Sequence, residues 1–278
     1  MTALLAVTSA LLVGGADFVG GFLSRTVDAV RVAAAAQLVG LALAVPTALF
    51  VASERVTTSD ACWAVGSGVA VALGLVCFYT AMTRGLISVV APVTAVTGAL
   101  VPLLYALSGG ERPGEAAVAG IALAIVAIGL VSLGPMGPAE AAASRDALPL
   151  AIAAGVLFGL FYVCFARVHE DAGLWPVAIS RLTSATVLVA LAIALTGGLS
   201  VGRAAAPWVV AIGALEVAAA VTLLLALQRG PISVASVLAS LYPVTTTFLA
   251  ALVLRERLRG LQLAGVALAL VAVALISS

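Results

Sequence analysis

Apolar residues run along this chain in blocks of about 20, and short charged or Gly- and Pro-rich steps interrupt them. Some 30 Å of hydrocarbon calls for about 20 apolar residues in a helix, so each block predicts a membrane-crossing helix. Ten are predicted, at 2–22, 29–51, 61–82, 86–107, 115–133, 147–166, 174–196, 206–227, 231–253 and 261–277. The steps between them include Ser53-Glu54-Arg55, Gly109-Gly110-Glu111-Arg112-Pro113-Gly114 and Arg255-Glu256-Arg257-Leu258-Arg259. The longest hydrophilic stretch, residues 135–146, is the expected linker between two halves, 1–134 and 147–278. The pattern is that of an all-α integral membrane protein.

The halves repeat. A shift of 145 residues lays the second over the first without gaps. Arg84-Gly85 then meets Arg229-Gly230, Ile87-Ser88-Val89 meets Ile232-Ser233-Val234, and Glu111-Arg112 meets Glu256-Arg257. Gly14 meets Gly159, Trp63 meets Trp208, and Gly120 meets Gly265. From Arg84 to Ser132 roughly 19 of 49 positions are identical, well above what biased composition supplies by chance. Agreement in the loops weighs most, because loops are not rich in Ala, Leu and Val. Each half holds five spans. An odd number sends the second half into the membrane upside down, giving an inverted-topology repeat of the kind many secondary transporters use.

Composition excludes the soluble classes. The chain is 64% hydrophobic and 9% charged, with a mean hydropathy of +1.27, and a soluble surface needs far more charge. Its bulk partner is the lipid bilayer. All 13 basic residues are Arg, and they form no cluster that could hold nucleic acid. The N-terminus has no positive region before its apolar run, so it reads as the first span and not as a cleaved signal. Cys62, Cys77 and Cys164 make no metal pattern and read as small buried hydrophobes. No cofactor or ATP-binding motif occurs. Trp63, Trp175 and Trp208 stand at span starts, where indoles anchor to the interface. His169, beside Glu170 and Asp171, reads as a solvated loop residue.

Two acids break the apolar pattern. Asp17 lies in span 1 and Glu216 near the middle of span 8. A carboxylate at such depth costs roughly 3 kcal/mol on insertion scales, and such groups normally face protein or a water-filled path. Asp17 is flanked at helical spacing by Gly14, Gly20 and Gly21, and Glu216 by Gly213, Ala219 and Ala220. Both acids therefore point at a neighbouring helix. They are candidates for a proton, a cation or a substrate amine; the other reading is a structural hydrogen bond. Span 9 carries a stripe, Ser233, Ser236, Ser240, Pro243 and Thr247, with Tyr242 beside it. Span 4 answers with Ser88, Pro92, Thr94 and Thr97. These are either two walls of a central cavity or close-packed surfaces whose hydroxyls bond back to their own helices. Gln37, Tyr79 and Tyr162 are further candidates. Arg181, one turn inside span 7, either snorkels to the interface or binds a substrate carboxylate. Spans 5 and 10 carry almost nothing polar and are expected at the periphery.

The chain resembles the EamA family of the drug/metabolite transporter superfamily. The resemblance is carried by Ala81-Met82-Thr83-Arg84-Gly85-Leu86-Ile87-Ser88 and its counterpart Ala226-Leu227-Gln228-Arg229-Gly230-Pro231-Ile232-Ser233. With them go Gly110-Glu111-Arg112, Arg255-Glu256-Arg257-Leu258 and Tyr242-Pro243. It covers essentially the whole chain. Two positions depart from the family pattern: Val13 stands where a Trp is frequent, and Gly98 stands where the second half has Pro243. The resemblance implies ten helices, a cavity lined by spans 1–4 and 6–9, and alternating access. It implies secondary transport of a small metabolite or drug-like compound, commonly outward, across a plasma membrane such as the bacterial inner membrane. Proton coupling through Asp17 or Glu216 is an inference from their burial. An uptake permease or exchanger of the same fold is the alternative. A membrane enzyme or a non-transporting partner is disfavoured by the lack of a nucleophile–base or metal set and by the repeat. The family usually keeps both termini in the cytoplasm. The arginines favour the odd-numbered loops about two to one, which the positive-inside rule reads the other way.

Overall fold

The computed structural model describes the backbone of residues 1–24, 26–51, 53–84, 87–131, 138–253 and 260–277. It describes their side chains except at 83, 87–89, 92, 131, 138–144, 247, 250, 251 and 277. Ser88, Pro92 and Thr247, expected as cavity candidates, thus have side chains outside the described residues. In hydrocarbon every backbone N–H and C=O must be satisfied within its own segment, which leaves the helix as the solution for an open chain. The elements are α1 (Thr2–Leu23), α2 (Ala29–Phe50), α3 (Thr58–Arg84), α4 (Ile87–Ser108), α5 (Glu115–Val131), α6 (Pro138–Ala166), α7 (Trp175–Thr196), α8 (Ala206–Arg229), α9 (Ile232–Ala239), α10 (Tyr242–Val253) and α11 (Gly260–Ser277). No strand occurs among the described residues.

Among the described residues, six helices are long and apolar enough to cross a membrane: α1, α2, α3, α6, α7 and α8. The other expected spans are shorter apolar helices, Val93–Ser108, Glu115–Leu130, Ile232–Thr246 and Gly260–Ile276. Two boundaries differ from expectation. α6 begins at Pro138, inside the stretch expected as linker. Span 9 is interrupted: Pro243 has no N–H to give the Ala239 carbonyl. The chain turns through Ser240 and Leu241, whose N–H groups donate to Ser236 and Leu238, before α10 resumes.

Helix packing keeps the repeat. α1 packs on α8, and its counterpart α6 packs on α3. α6 also packs on α4, as α1 does on α9 and α10; α3 packs on α7, as α2 does on α8. The pairs α2–α7 and α5–α11 join each helix to its own counterpart. Exchanging the halves maps these main contacts onto themselves. Repeat-related glycines make the close approaches. A Cβ on Gly14 would lie 2.5 Å from Thr245 Cβ, and one on Gly159 would lie 2.5 Å from Val101 Cβ. Gly68 and Gly213 do the same against the carbonyls of Ser180 (2.5 Å) and Ala36 (2.7 Å). With no hydrophobic effect to press helices together in lipid, contact of this closeness is what holds them. α5 and α11 sit together at one edge, as their composition foretells.

The loops on the side of the N-terminus are tied to one another. Asp60 accepts from the His169 N–H at 3.0 Å and lies 2.9 Å from its Nδ1, while Thr57 donates to the other carboxylate oxygen. His169 is therefore a solvated loop residue, as expected, and is also anchored. The N–H groups of Glu54 and Arg55 donate to the Asp171 carbonyl. The Glu111 carboxylate accepts from the N–H groups of Ile232 and Ser233 and from the Ser233 hydroxyl, capping α9 where free N–H groups favour an anion. Arg167 lies 5.5 Å from the ring centroid of Trp63. Trp208 is half-exposed. Cys62 is exposed on the first turn of α3, not buried as expected, while Cys77 and Cys164 are half-buried.

Candidate functional site

A cavity opens between the halves, with about 710 Å³ of unfilled space counting its mouth. Its walls come from α1, α2, α3, α6, α7, α8 and α10. On α1, Ser9, Val13, Ala16 and Asp17 face it, spaced four, three and one, as a single helix face requires. α8 presents Glu216, Ala219, Ala220 and Leu223; α6 presents Phe158, Phe161 and Tyr162; α3 presents Val71 and Leu75. Gln37, Arg181 and Tyr242 complete it. No described residue of α4 lines it, against the expectation of eight lining spans. The reason is that α4 is spent on packing: Thr94 Oγ1 donates to the Ala151 carbonyl of α6 at 3.1 Å, fully buried.

The lining obeys the 145-residue shift. Val13 and Phe158, Ala16 and Phe161, Asp17 and Tyr162, Val71 and Glu216, and Leu75 and Ala220 are repeat pairs, and both members of each pair face the cavity. Position is symmetric but chemistry is not. One wall is charged and the other aromatic.

The charged wall is built on Arg181. Its Nη1 donates to Glu216 Oε2 at 2.6 Å and to Gln37 Oε1 at 2.8 Å, and its Nη2 donates to the Glu216 carbonyl at 2.8 Å. Gln37 Nε2 donates to Glu216 Oε2 at 2.8 Å, and the Ser184 hydroxyl donates to Gln37 Oε1 at 2.7 Å. Arg181 therefore neither snorkels nor stands free for a substrate carboxylate. Only the partnership satisfies a guanidinium with 10% and a carboxylate with 17% side-chain exposure, since an unpaired buried charge is far more costly. Asp17 is different. It faces the cavity, and among the described residues its carboxylate makes no hydrogen bond or ion pair. The site thus holds one positive against two negative side chains. The aromatic wall is fixed by its own packing, with ring centroids of Phe161 and Tyr162 5.6 Å apart and those of Phe161 and Phe165 4.5 Å apart.

Of the candidates read from sequence, Asp17, Gln37, Tyr162, Arg181, Glu216 and Tyr242 meet at the cavity. Tyr79 is buried behind it, its hydroxyl near Gly20. The serine stripe does not line it: Ser233 bonds Glu111, Ser236 donates to the Ile232 carbonyl at 2.6 Å, and Ser240, set against the Tyr162 hydroxyl, donates to the Ser236 carbonyl at 2.8 Å. Buried hydroxyls in an apolar helix satisfy themselves on the preceding turn, and here that reading prevails. Sequence reading passed over Ser184, Phe158 and Phe161. Applying the shift to Asp17 and to its cavity-side neighbours Val13 and Ala16 would have found both phenylalanines.

The family model of the EamA-like transporter family matches residues 1–133 and 147–278. A crystal structure of another protein superposes with a TM-score of 0.77 at 20% identity, over 99% of this chain and 95% of that one; at that identity it speaks for the fold. No curated protein matches.

Proposed function

Since the chain belongs to the EamA-like transporter family and is a multi-pass membrane protein, we propose that it is a secondary transporter. It exports small metabolites or drug-like compounds by alternating access between its two halves. The observation that carries this reading is the cavity whose walls are repeat-related positions. A site on the exchange axis of two similar halves faces one side or the other as the halves rock, with no change in what it touches. In this reading the six long helices, α4, α5, the broken α9–α10 and α11 are ten crossings, five per half, and the halves are inverted. The loop ties on the N-terminal side support a state closed on that side. On the family resemblance, and against the arginine count of the loops, this reading keeps both termini in the cytoplasm, and the membrane is a plasma membrane, in bacteria the inner one.

Coupling to protons falls to Asp17. Glu216 is neutralised by Arg181, so it has little reason to exchange a proton during the cycle, whereas Asp17 has no partner among the described residues to hold its charge. The test compares metabolites in cells and medium with the protein overexpressed, absent, or carrying Asp17→Asn. A compound depleted inside and enriched outside with the wild type alone is expected. Enrichment inside instead would make the protein an uptake permease. If no compound moves while the protein is in the membrane, the export reading fails for every metabolite those cells make.

A further inference from the structure

The cavity's unequal walls say what it should hold. Resting on the transport reading of this cavity, we propose that its substrate class is an organic monocation with an apolar body. The cationic nitrogen sits at Asp17, and the body lies on Phe158, Phe161 and Tyr162.

The argument is one of which charges are already spent. Arg181 gives two donors to the Glu216 residue and one to Gln37, and its Nε edge lies against Gly40. An anion would have to displace a carboxylate 2.6 Å away in a site that carries a net negative charge. A zwitterion meets the same barrier at its carboxylate end. A neutral solute makes no use of the Asp17 carboxylate, whose charge a proton must then balance. A single positive charge brings the site to neutrality, and a second would find no partner. The opposite wall supplies π faces, which attract a cation or stack on its body. A primary amine and a quaternary ammonium group both meet these demands. A permanently charged probe keeps the protonation of the ligand out of the measurement.

The experiment is equilibrium binding of phenyltrimethylammonium to the purified full chain in detergent, with tert-butylbenzene as its neutral isostere and benzoate as an anion of similar size. Saturable binding of the cation is expected, with neither of the other two competing at equal concentration. Asp17→Asn should weaken the cation at least ten-fold, and Phe161→Leu should weaken it several-fold. If Asp17→Asn proves unstable, the three-ligand comparison on the wild type decides alone. The proposal is overturned if the wild type shows no saturable cation binding, if tert-butylbenzene or benzoate competes equally, or if a folded Asp17→Asn protein keeps full affinity. Liposomes containing the protein separate this from the transport reading. Cation binding without cation movement would sink transport and leave the recognition standing. Export of an anion by a protein that ignores the cation would do the reverse.

Discussion

Arg181→Met is the substitution that tests the charged wall most directly. It deletes three hydrogen bonds and leaves Glu216 with Gln37 Nε2 as its remaining side-chain donor. The site would then carry two carboxylates and no cation. Removing one partner of a buried ion pair costs about 3–5 kcal/mol, mainly from the charge left behind. The Glu216 side chain keeps 17% exposure, so about 3 kcal/mol is the better figure. At about 2–4 °C per kcal/mol for chains approaching this size, the midpoint should fall by about 6–12 °C. The assay is thermal unfolding of the detergent-purified protein without ligand. Glu216→Gln should cost less, because Arg181 keeps Gln37 and a backbone carbonyl. The double substitution Arg181→Met with Glu216→Gln removes both charges and should recover most of the loss, to within about 1 kcal/mol of wild type. Were Arg181→Met to melt within about 2 °C of wild type, or the double variant to lose the sum of the singles, the pair would not be holding the wall.

Two further outcomes follow from packing and capping. Gly14→Leu and Gly159→Leu occupy repeat-related contacts of equal closeness, so each should lower the yield of folded protein sharply. Gly129→Leu, which meets nothing within 4 Å, should not; the readout is a monodisperse size-exclusion peak. Glu111→Gln keeps the shape of the α9 cap but loses the charge, and should cost about 1 kcal/mol, read as a midpoint lower by about 2–4 °C. A shift below 1 °C would show that the cap holds by shape alone.

The fold was legible in the sequence to the extent that it is periodic. Ten apolar blocks and a 145-residue shift announced which helices would be counterparts, and the Gly213 and Ala219–Ala220 flanks correctly turned Glu216 inward. What stayed hidden was pairing across the chain. Arg181 and Glu216 lie 35 residues apart on different helices, and nothing local says that they meet. The same holds for Asp60 and His169, 109 residues apart. The serine stripe misled for the opposite reason. Its spacing was read correctly, but a hydroxyl can always close on the carbonyl one turn back, so a shared face does not imply a shared cavity. Pro243 did signal a disturbance in span 9, though not that the helix would stop and restart.

The repeat-related lining has a consequence of parity. Had the two halves been identical separate chains, every charged residue off the exchange axis would occur twice, and the site could carry only an even charge. Asp17 corresponds to Tyr162, Glu216 to Val71, and Arg181 to Ala36, so in the fused chain each charge occurs once. Joining the halves is what permits an odd total. A single unit of charge on a two-fold axis is available to a covalent pseudo-dimer and closed to a symmetric one.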